Sequence, residues 1–333
     1  MLVYKTGYED DPFYPVFSHP DWLYPEERPL RNFPLMLDIE TTNACDFRCV
    51  FCARQLMRRK PGFMGMDIYR KIVDETAHEG SPFLRIHGWG EPLLHPDCLR
   101  HAEYAARKGV TTRFTTNGLA FLRNPGLIDD LILAGAGELL ISMQGVDKPS
   151  YEKMRKPNTF ENFLRVVETV ADAKQRRNAG RPFLSIITSV FAEDYTQEKI
   201  AAFEDRFLPF ADKLGVDFTH MTFLEDHMDV SEWEGGYLFE KKRRPCIEVL
   251  IKTHINSDGD VLFCGNDYDG QAHRIGNLAD MGVKEAWNSE KLAAWRSVVR
   301  NVENHEKLTF CKHCFEFTTK YDALKKQVRG TEE

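Results

Sequence analysis

"PLMLDIETTNACDFRCVFC", residues 34–52, is the stretch on which the reading of this chain turns. "PLMLDIETT" has the apolar and polar spacing of a β-strand. It runs directly into Cys45, Cys49 and Cys52, three of the chain's eight cysteines. A closed zinc site takes four ligands, and a buried free cysteine needs no partner. A four-iron cubane held by three cysteines keeps one iron open to a ligand that is not cysteine. What fills that position is the question the stretch raises.

Outward from it, strands and helices alternate. Helix "MDIYRKIVDETAHEG" is followed by strand "FLRIHGWGEP", helix "DCLRHAEYAARKG", strand "VTTRFTTNG", a helix near Ile128–Ala134 and strand "ELLISMQG". Helix "FENFLRVVETVADAKQRR", strand "PFLSIITSVF", helix "QEKIAAFEDRFLPFADKLG" and strand "VDFTHMTFL" complete the series. Six strands alternating with helices imply an α/β fold with a parallel sheet and right-handed crossovers. Ligands of such sheets, open or closed, bind where the strands end.

The flanks differ. Residues 1–33 are rich in proline and aromatics without a period, and are expected as an extended arm on the surface, with a lid as the alternative. Residues 34–235 form the main domain. From 236 to 333 a small domain is expected: two strands in "EVLIKTHINSDGDVLFC" about an Asp258-Gly259 turn, a helix "VKEAWNSEKLAAWRSVVR", and a last amphipathic helix from about Thr318.

Composition is that of a globular protein, 42% hydrophobic and 29% charged, so a packed core is affordable on length alone. A formal charge of −7 argues against nucleic acid as the main partner. "MLVYKTGYEDDPF" holds no apolar signal-peptide core, and no uncharged stretch approaches the roughly 18 residues of a membrane helix. The expected compartment is the cytoplasm, with no membrane partner, where clustered thiols mean metal or catalysis more often than disulfides.

The strand ends carry an ordered set. After the cysteine loop come Gly90-Glu91-Pro92 on strand two, Thr116-Asn117-Gly118 on strand three, Ser142 and Gln144 on strand four, and Arg155 beyond it. Singly, each is an ordinary turn or strand cap. Together with Cys-x3-Cys-x2-Cys and Phe51, they resemble the radical S-adenosylmethionine (radical SAM) superfamily. "GWGEPLLHP" is similar to that family's Gly-Gly-Glu motif, with Trp89 in place of the first glycine. The resemblance covers about residues 34–225 and implies a partial (β/α)6 TIM-like barrel. Its open iron would be chelated by S-adenosyl-L-methionine, cleaved to a 5′-deoxyadenosyl radical. It further implies that the backbone at Gly90 and Glu91 receives the SAM ammonium. Asn117, Ser142 and Arg155 would then contact ribose and carboxylate, and Phe51 would lie against adenine.

Cys246, Cys264, Cys311 and Cys314 form a second set, a hairpin pair plus Cys-x2-Cys, for which zinc is the alternative. Within a radical SAM chain they resemble the SPASM/Twitch domain in its shorter form, which implies one fully ligated auxiliary [4Fe–4S] cluster. The spacing is similar to aminocyclitol dehydrogenases of the butirosin type, where the auxiliary cluster takes an electron as an alcohol becomes a ketone. The implied complement is two [4Fe–4S] clusters, SAM, a small hydroxylated substrate and an electron donor such as flavodoxin or ferredoxin. Epimerisation with a cysteine hydrogen donor and modification of a ribosomal peptide are the alternatives. Cys98 is read as a buried small residue or that hydrogen donor. Gln144 points to where substrate should lie, and His220 on strand six is a core residue or a substrate contact.

Overall fold

The computed structural model describes residues 2–20, 29–191, 194–218, 246, 248–301, 304, 307–308 and 311. His220, Cys314 and the helix expected from Thr318 lie outside the described residues.

One sheet of ten strands organises the chain. In chain order these are β1 (Leu2–Tyr4), β2 (Met36–Ile39), β3 (Phe83–Ile86), β4 (Thr111–Thr116) and β5 (Glu138–Gln144). They are followed by β6 (Phe183–Val190), β7 (Lys213–Phe218), β8 (Lys252–Ile255), β9 (Asp260–Leu262) and β10 (Arg274–Asn277). β2 to β7 are parallel and lie in sequence order, the arrangement of a partial six-stranded barrel. β1 pairs antiparallel with β7 at one edge. At the other, β8 runs parallel to β2 and continues through the antiparallel β9 and β10. The C-terminal region thus extends the barrel sheet itself.

Helices α1 (Met66–His78), α2 (Cys98–Arg107), α3 (Gly126–Leu133), α4 (Lys148–Met154), α5 (Phe160–Arg176) and α6 (Gln197–Phe207) lie in the connections between successive barrel strands, α4 and α5 both between β5 and β6. α5 shows the local logic: Thr159 caps it by accepting from the Asn162 N–H. Phe160, Phe163, Val166, Val167, Val170 and Ala173 repeat at helical spacing and are buried. Leu37, Ile39, Leu84, Ile86, Leu139, Ile141, Leu184 and Ile186 join these helix faces in the main core. Each such side chain contributes about 1.5–3 kcal/mol when fully buried.

Period-two alternation turns the intervening strand residues to the barrel interior, which is polar. At its floor Glu138 accepts from Arg113 Nε at 2.5 Å and from Ser185 Oγ at 2.5 Å, and lies 2.8 Å from Lys213 Nζ. Lys213 Nζ also meets Asp11 Oδ2 at 2.6 Å.

Asp11 belongs to the N-terminal arm, whose described residues pack against the floor of the barrel. Phe13 and Val16 are fully buried with Leu35 and Met36, and the Arg113 guanidinium lies 4.3 Å from the Phe13 ring centroid. The arm closes the floor, opposite the strand ends that carry the motifs.

Three expectations change. Glu248–Ile251 is a helical turn, and the first strand of the hairpin begins at Lys252. There the Val249 carbonyl accepts from Arg296 Nε at 3.0 Å. Lys213-Leu214-Gly215, read as helix, starts β7, because Pro209 follows the end of α6 and halts it. The single helix expected at 283–300 is two, α7 (Val283–Trp287) and α8 (Glu290–Arg300), the second capped by Ser289. The Asp258-Gly259 turn is present between β8 and β9, with Gly259 at φ +81°. No helix of the described residues is long and apolar enough to cross a membrane.

Candidate active site

The cysteine loop leaves β2 and is fastened on both sides. Thr42 Oγ donates to the Gly62 carbonyl at 2.6 Å, and Asn43 exchanges bonds with Lys60 O (3.0 Å) and Gly62 N (2.7 Å). The Arg48 and Val50 amides donate to Lys156 O and Met154 O at 2.7 and 3.0 Å, joining the loop to the end of α4. Arg54 Nη2 reaches the carbonyls of Cys45 and Phe47 at 3.2 and 2.9 Å. Burial pushes the Cys45 thiol up to about 12, and raises those of Cys49 and Cys52 too. Arg54 and Arg155 oppose that rise at Cys49 and Cys52. A cluster held here would have to displace protons from these thiols, and two guanidinium groups are placed to ease it.

Gly90 passes so close to the loop that a Cβ would lie 2.0 Å from Thr42 O, so glycine is a steric requirement here. The next amide, Glu91 N, donates to Ala44 O at 2.8 Å. The Glu91 carboxyl turns inward and accepts from Leu93 N (3.1 Å), Thr116 Oγ (2.6 Å) and Asn117 N (2.7 Å). Burial lifts its pKa to about 7, the three donors only partly offsetting it. Glu91 thus ties the Gly-Glu-Pro loop to the end of β4. Asn117 bonds Asp46 Oδ1 through its amide nitrogen at 2.8 Å and receives Leu119 N at 2.8 Å.

On β5, Ser142 and Gln144 share the interior face with Arg155. Arg155 Nη2 donates to Ser142 O at 2.7 Å and Oγ at 2.6 Å, while Nε meets Gln144 Oε1. Gln144 passes the chain on to Ser189 Oγ at 3.0 Å. The geometry thus unites Arg155, Ser142 and Gln144 beside Cys49. Phe51 packs in a separate apolar cluster with Ala53, Met154, Phe191, Tyr268 and Trp89. Cys98 lies elsewhere: it is buried in the helix-side core, at the first turn of α2.

A chamber of about 320 Å³ opens between the β2, β3 and β8 ends and the C-terminal region. Gly88 and Trp89 form one wall, and Cys246, Cys264 and Cys311 another. Cys264 and Cys311 are near enough to Cys246 to add to the rise that burial imposes on its thiol. Among the described residues no three His, Cys, Asp or Glu side chains converge on a single ion. A cubane binds each thiolate through a different iron, and three thiols around one cavity fit that donor set, as the three of the cysteine loop do.

The remaining wall was not singled out in sequence. Asp38 Oδ2 lies 3.3 Å from His87 Nε2, 3.3 Å from Lys252 Nζ and 3.5 Å from His254 Nδ1. Arg85 grips both carboxylate oxygens, with Nε on Oδ1 at 2.5 Å. Burial opposes ionisation, yet Arg85, Lys252 and the histidines hold Asp38 well below the usual carboxylate range. Burial pushes His254 down to about 4, leaving it a neutral imidazole. The available signal was the repeated "DIE", "RIH" and "KTH" of Asp38–Glu40, Arg85–His87 and Lys252–His254. Each places two polar groups on one strand face, and the register sets Asp38 between Arg85 and His254.

A Radical SAM superfamily model matches residues 39–203, and an iron-sulfur cluster-binding SPASM model matches residues 246–315. The chain belongs to the radical SAM superfamily. An AdoMet-dependent heme synthase of Methanosarcina barkeri is 29% identical over 197 residues, covering 59% of this chain and 52% of that protein. Mycofactocin maturase MftC of Mycobacterium ulcerans is 29% identical over 140 residues, covering 42% of this chain and 37% of its own length. The chain thus spans about half or less of these curated relatives. The crystal structure of BtrN in complex with AdoMet and 2-DOIA superposes with a TM-score of 0.59 at 14% identity, over 87% of this chain and 100% of that one. It shares the fold, a radical SAM barrel with a C-terminal extension.

Proposed function

We propose that this radical SAM enzyme oxidises a small hydroxylated molecule, an aminocyclitol, sugar or nucleotide sugar, converting an alcohol to a ketone. The observation that carries the reading is the chamber shared by the Gly88-Trp89 segment and the second cysteine set. Its volume is at the small end of ligand pockets, which run about 300–1,000 Å³. Part of it falls to the cluster that Cys246, Cys264 and Cys311 would hold, and the space left beside Gly88, Trp89 and the Asp38 wall suits a small molecule better than a peptide. Cys98 lies in the helix-side core and is not among the chamber's lining residues, which supports oxidation over epimerisation with that thiol as hydrogen donor.

Cys45, Cys49 and Cys52 would hold the cluster that binds SAM. Cys246, Cys264 and Cys311, with Cys314 beyond the described residues, would hold an auxiliary [4Fe–4S] cluster. When bound, SAM and its cluster supply the 5′-deoxyadenosyl radical that takes the hydrogen atom. Arg155, already oriented by Ser142 and Gln144, would receive the SAM carboxylate as a planar fork, and Asn117 the ribose. The substrate carbon loses a hydrogen atom, then a proton and an electron. A closed set of four thiolates leaves no iron for substrate and suits it to accept that electron. A flavodoxin or ferredoxin would supply the reducing electron for SAM cleavage.

The test is anaerobic reconstitution with iron and sulfide counting, then turnover on a panel of polyols and nucleotide sugars. About eight irons per chain and a product lighter by two hydrogens are expected. Replacing Cys45, Cys49 and Cys52 by alanine should abolish 5′-deoxyadenosine formation. The pair Cys264→Ala and Cys311→Ala should retain it and lose the ketone. A product of unchanged mass and altered stereochemistry would overturn the oxidation.

A further inference from the structure

We propose that Trp89, the departure from the family's Gly-Gly-Glu pattern, tunes the auxiliary iron–sulfur centre through a single peptide group. The inference rests on the reading of Cys264 as one of that centre's ligands. The Trp89 indole N–H donates to the Gly265 carbonyl at 3.0 Å. The same peptide group carries the Asn266 N–H, which donates to Cys264 Sγ at 3.4 Å. Indole, peptide and sulfur form one continuous donor chain.

The relay is fixed at the tryptophan and at the peptide. The Trp89 amide donates to Glu40 Oε2 at 3.1 Å, and Glu40 is gripped by Arg59 at 2.8 Å and Ser257 Oγ at 3.2 Å. The Tyr268 ring meets the indole edge-on, with centroids 6.0 Å apart. A side chain at Gly265 would come within 2.7 Å of the His254 ring, so only glycine lets this peptide lie where it does.

A donor on a carbonyl polarises its peptide and strengthens the N–H at the other end. Hydrogen bonds to ligand sulfurs stabilise the added negative charge of a reduced cluster and raise its potential. Cys45 has the equivalent inner bond, from Phe47 N at 3.4 Å. At Cys264 the bond is backed by a side chain from the SAM-binding motif, 175 residues earlier in the chain (264 − 89). The loop expected to hold SAM would thereby help set how readily the second centre accepts an electron.

The test is potentiometric titration followed by electron paramagnetic resonance on the reconstituted full chain. Two variants are compared with wild type: Trp89→Phe, and benzothienylalanine at position 89, which keeps the bicyclic shape and lacks the N–H. Both should lower the auxiliary potential by about 28 mV, a threefold change in the oxidised-to-reduced ratio at 59 mV per tenfold. An unmoved potential in both overturns the relay. So does a shift in the phenylalanine variant alone, which would trace to lost bulk. A wild-type protein without a second iron–sulfur signal would sink the cluster reading and the relay together; a second signal at an unmoved potential sinks only the relay.

Discussion

Glu138 and Asp38 are both buried carboxylates inside the same barrel, each ringed by cations, yet they serve opposite ends. Glu138 sits at the floor, where Arg113, Lys213 and Ser185 meet its oxygens and the arm residue Asp11 balances the second positive charge. Asp38 sits under the chamber, where Arg85, His87, Lys252 and His254 crowd one carboxylate. The floor network is closed by Phe13 and Val16. The Asp38 network faces open volume. Similar charge clusters thus divide into a structural joint and a candidate site by what covers them.

The sharpest way to break that comparison is to neutralise each centre in turn. Glu138→Gln leaves Arg113 and Lys213 facing a single carboxylate, Asp11, in a dry interior. A loss of about 3–5 kcal/mol in urea unfolding is expected, with SAM cleavage per folded molecule retained.

Glu91 provides the pH test. Its pKa is raised from 4.5 to about 7 in the fold, so its stabilising contribution is full below pH 4.5 and lost as pH rises through 7. The stability gap between wild type and Glu91→Gln should shrink by about 3 kcal/mol over that window, at 1.36 kcal/mol per pKa unit. A gap that widens with pH would mean that the three donors hold the carboxyl ionised.

Asp38→Asn should cost less stability, about 1–3 kcal/mol. Glu248 still pairs Lys252, and Arg85 is 18% exposed against 6% for Arg113. Its effect should fall on turnover, with product per 5′-deoxyadenosine dropping on the order of tenfold. If it destabilises as much as Glu138→Gln and leaves product yield alone, the chamber wall is structural. Smallest of all, Lys148→Ala removes an exposed pair with Glu161 and should leave the urea midpoint within error.

The barrel and the motif-bearing strand ends were legible because their signals are local. Cys45, Cys49 and Cys52 lie within eight residues, and each strand's alternation is written in its own few positions. The Asp38 wall was not legible in that way. It assembles from strands 47 and 216 residues apart in sequence, through a register that no single strand declares. The docking of the arm was not legible for a related reason. Beyond the three residues of β1 it packs through single side chains, Asp11, Phe13 and Val16, and so carries no period to read. The breaks at Pro209 and Ser289 could have been called, since proline and a helix-capping serine are themselves the signals.

The pairing of β1 with β7 has a consequence for the order in which the molecule assembles. Leu2 meets Gly215, and Met36 meets Lys252, so both edges of the parallel sheet wait for partners more than 200 residues away. Such contacts are slow to form, because the intervening chain must be ordered before they reward it. During synthesis, Asp11 and Phe13 emerge early but have no floor to enter until β7 has joined the sheet. The arm should therefore remain open to a protease while the barrel helices are already protected, and become resistant late. A pulse of proteolysis during refolding would read that delay directly.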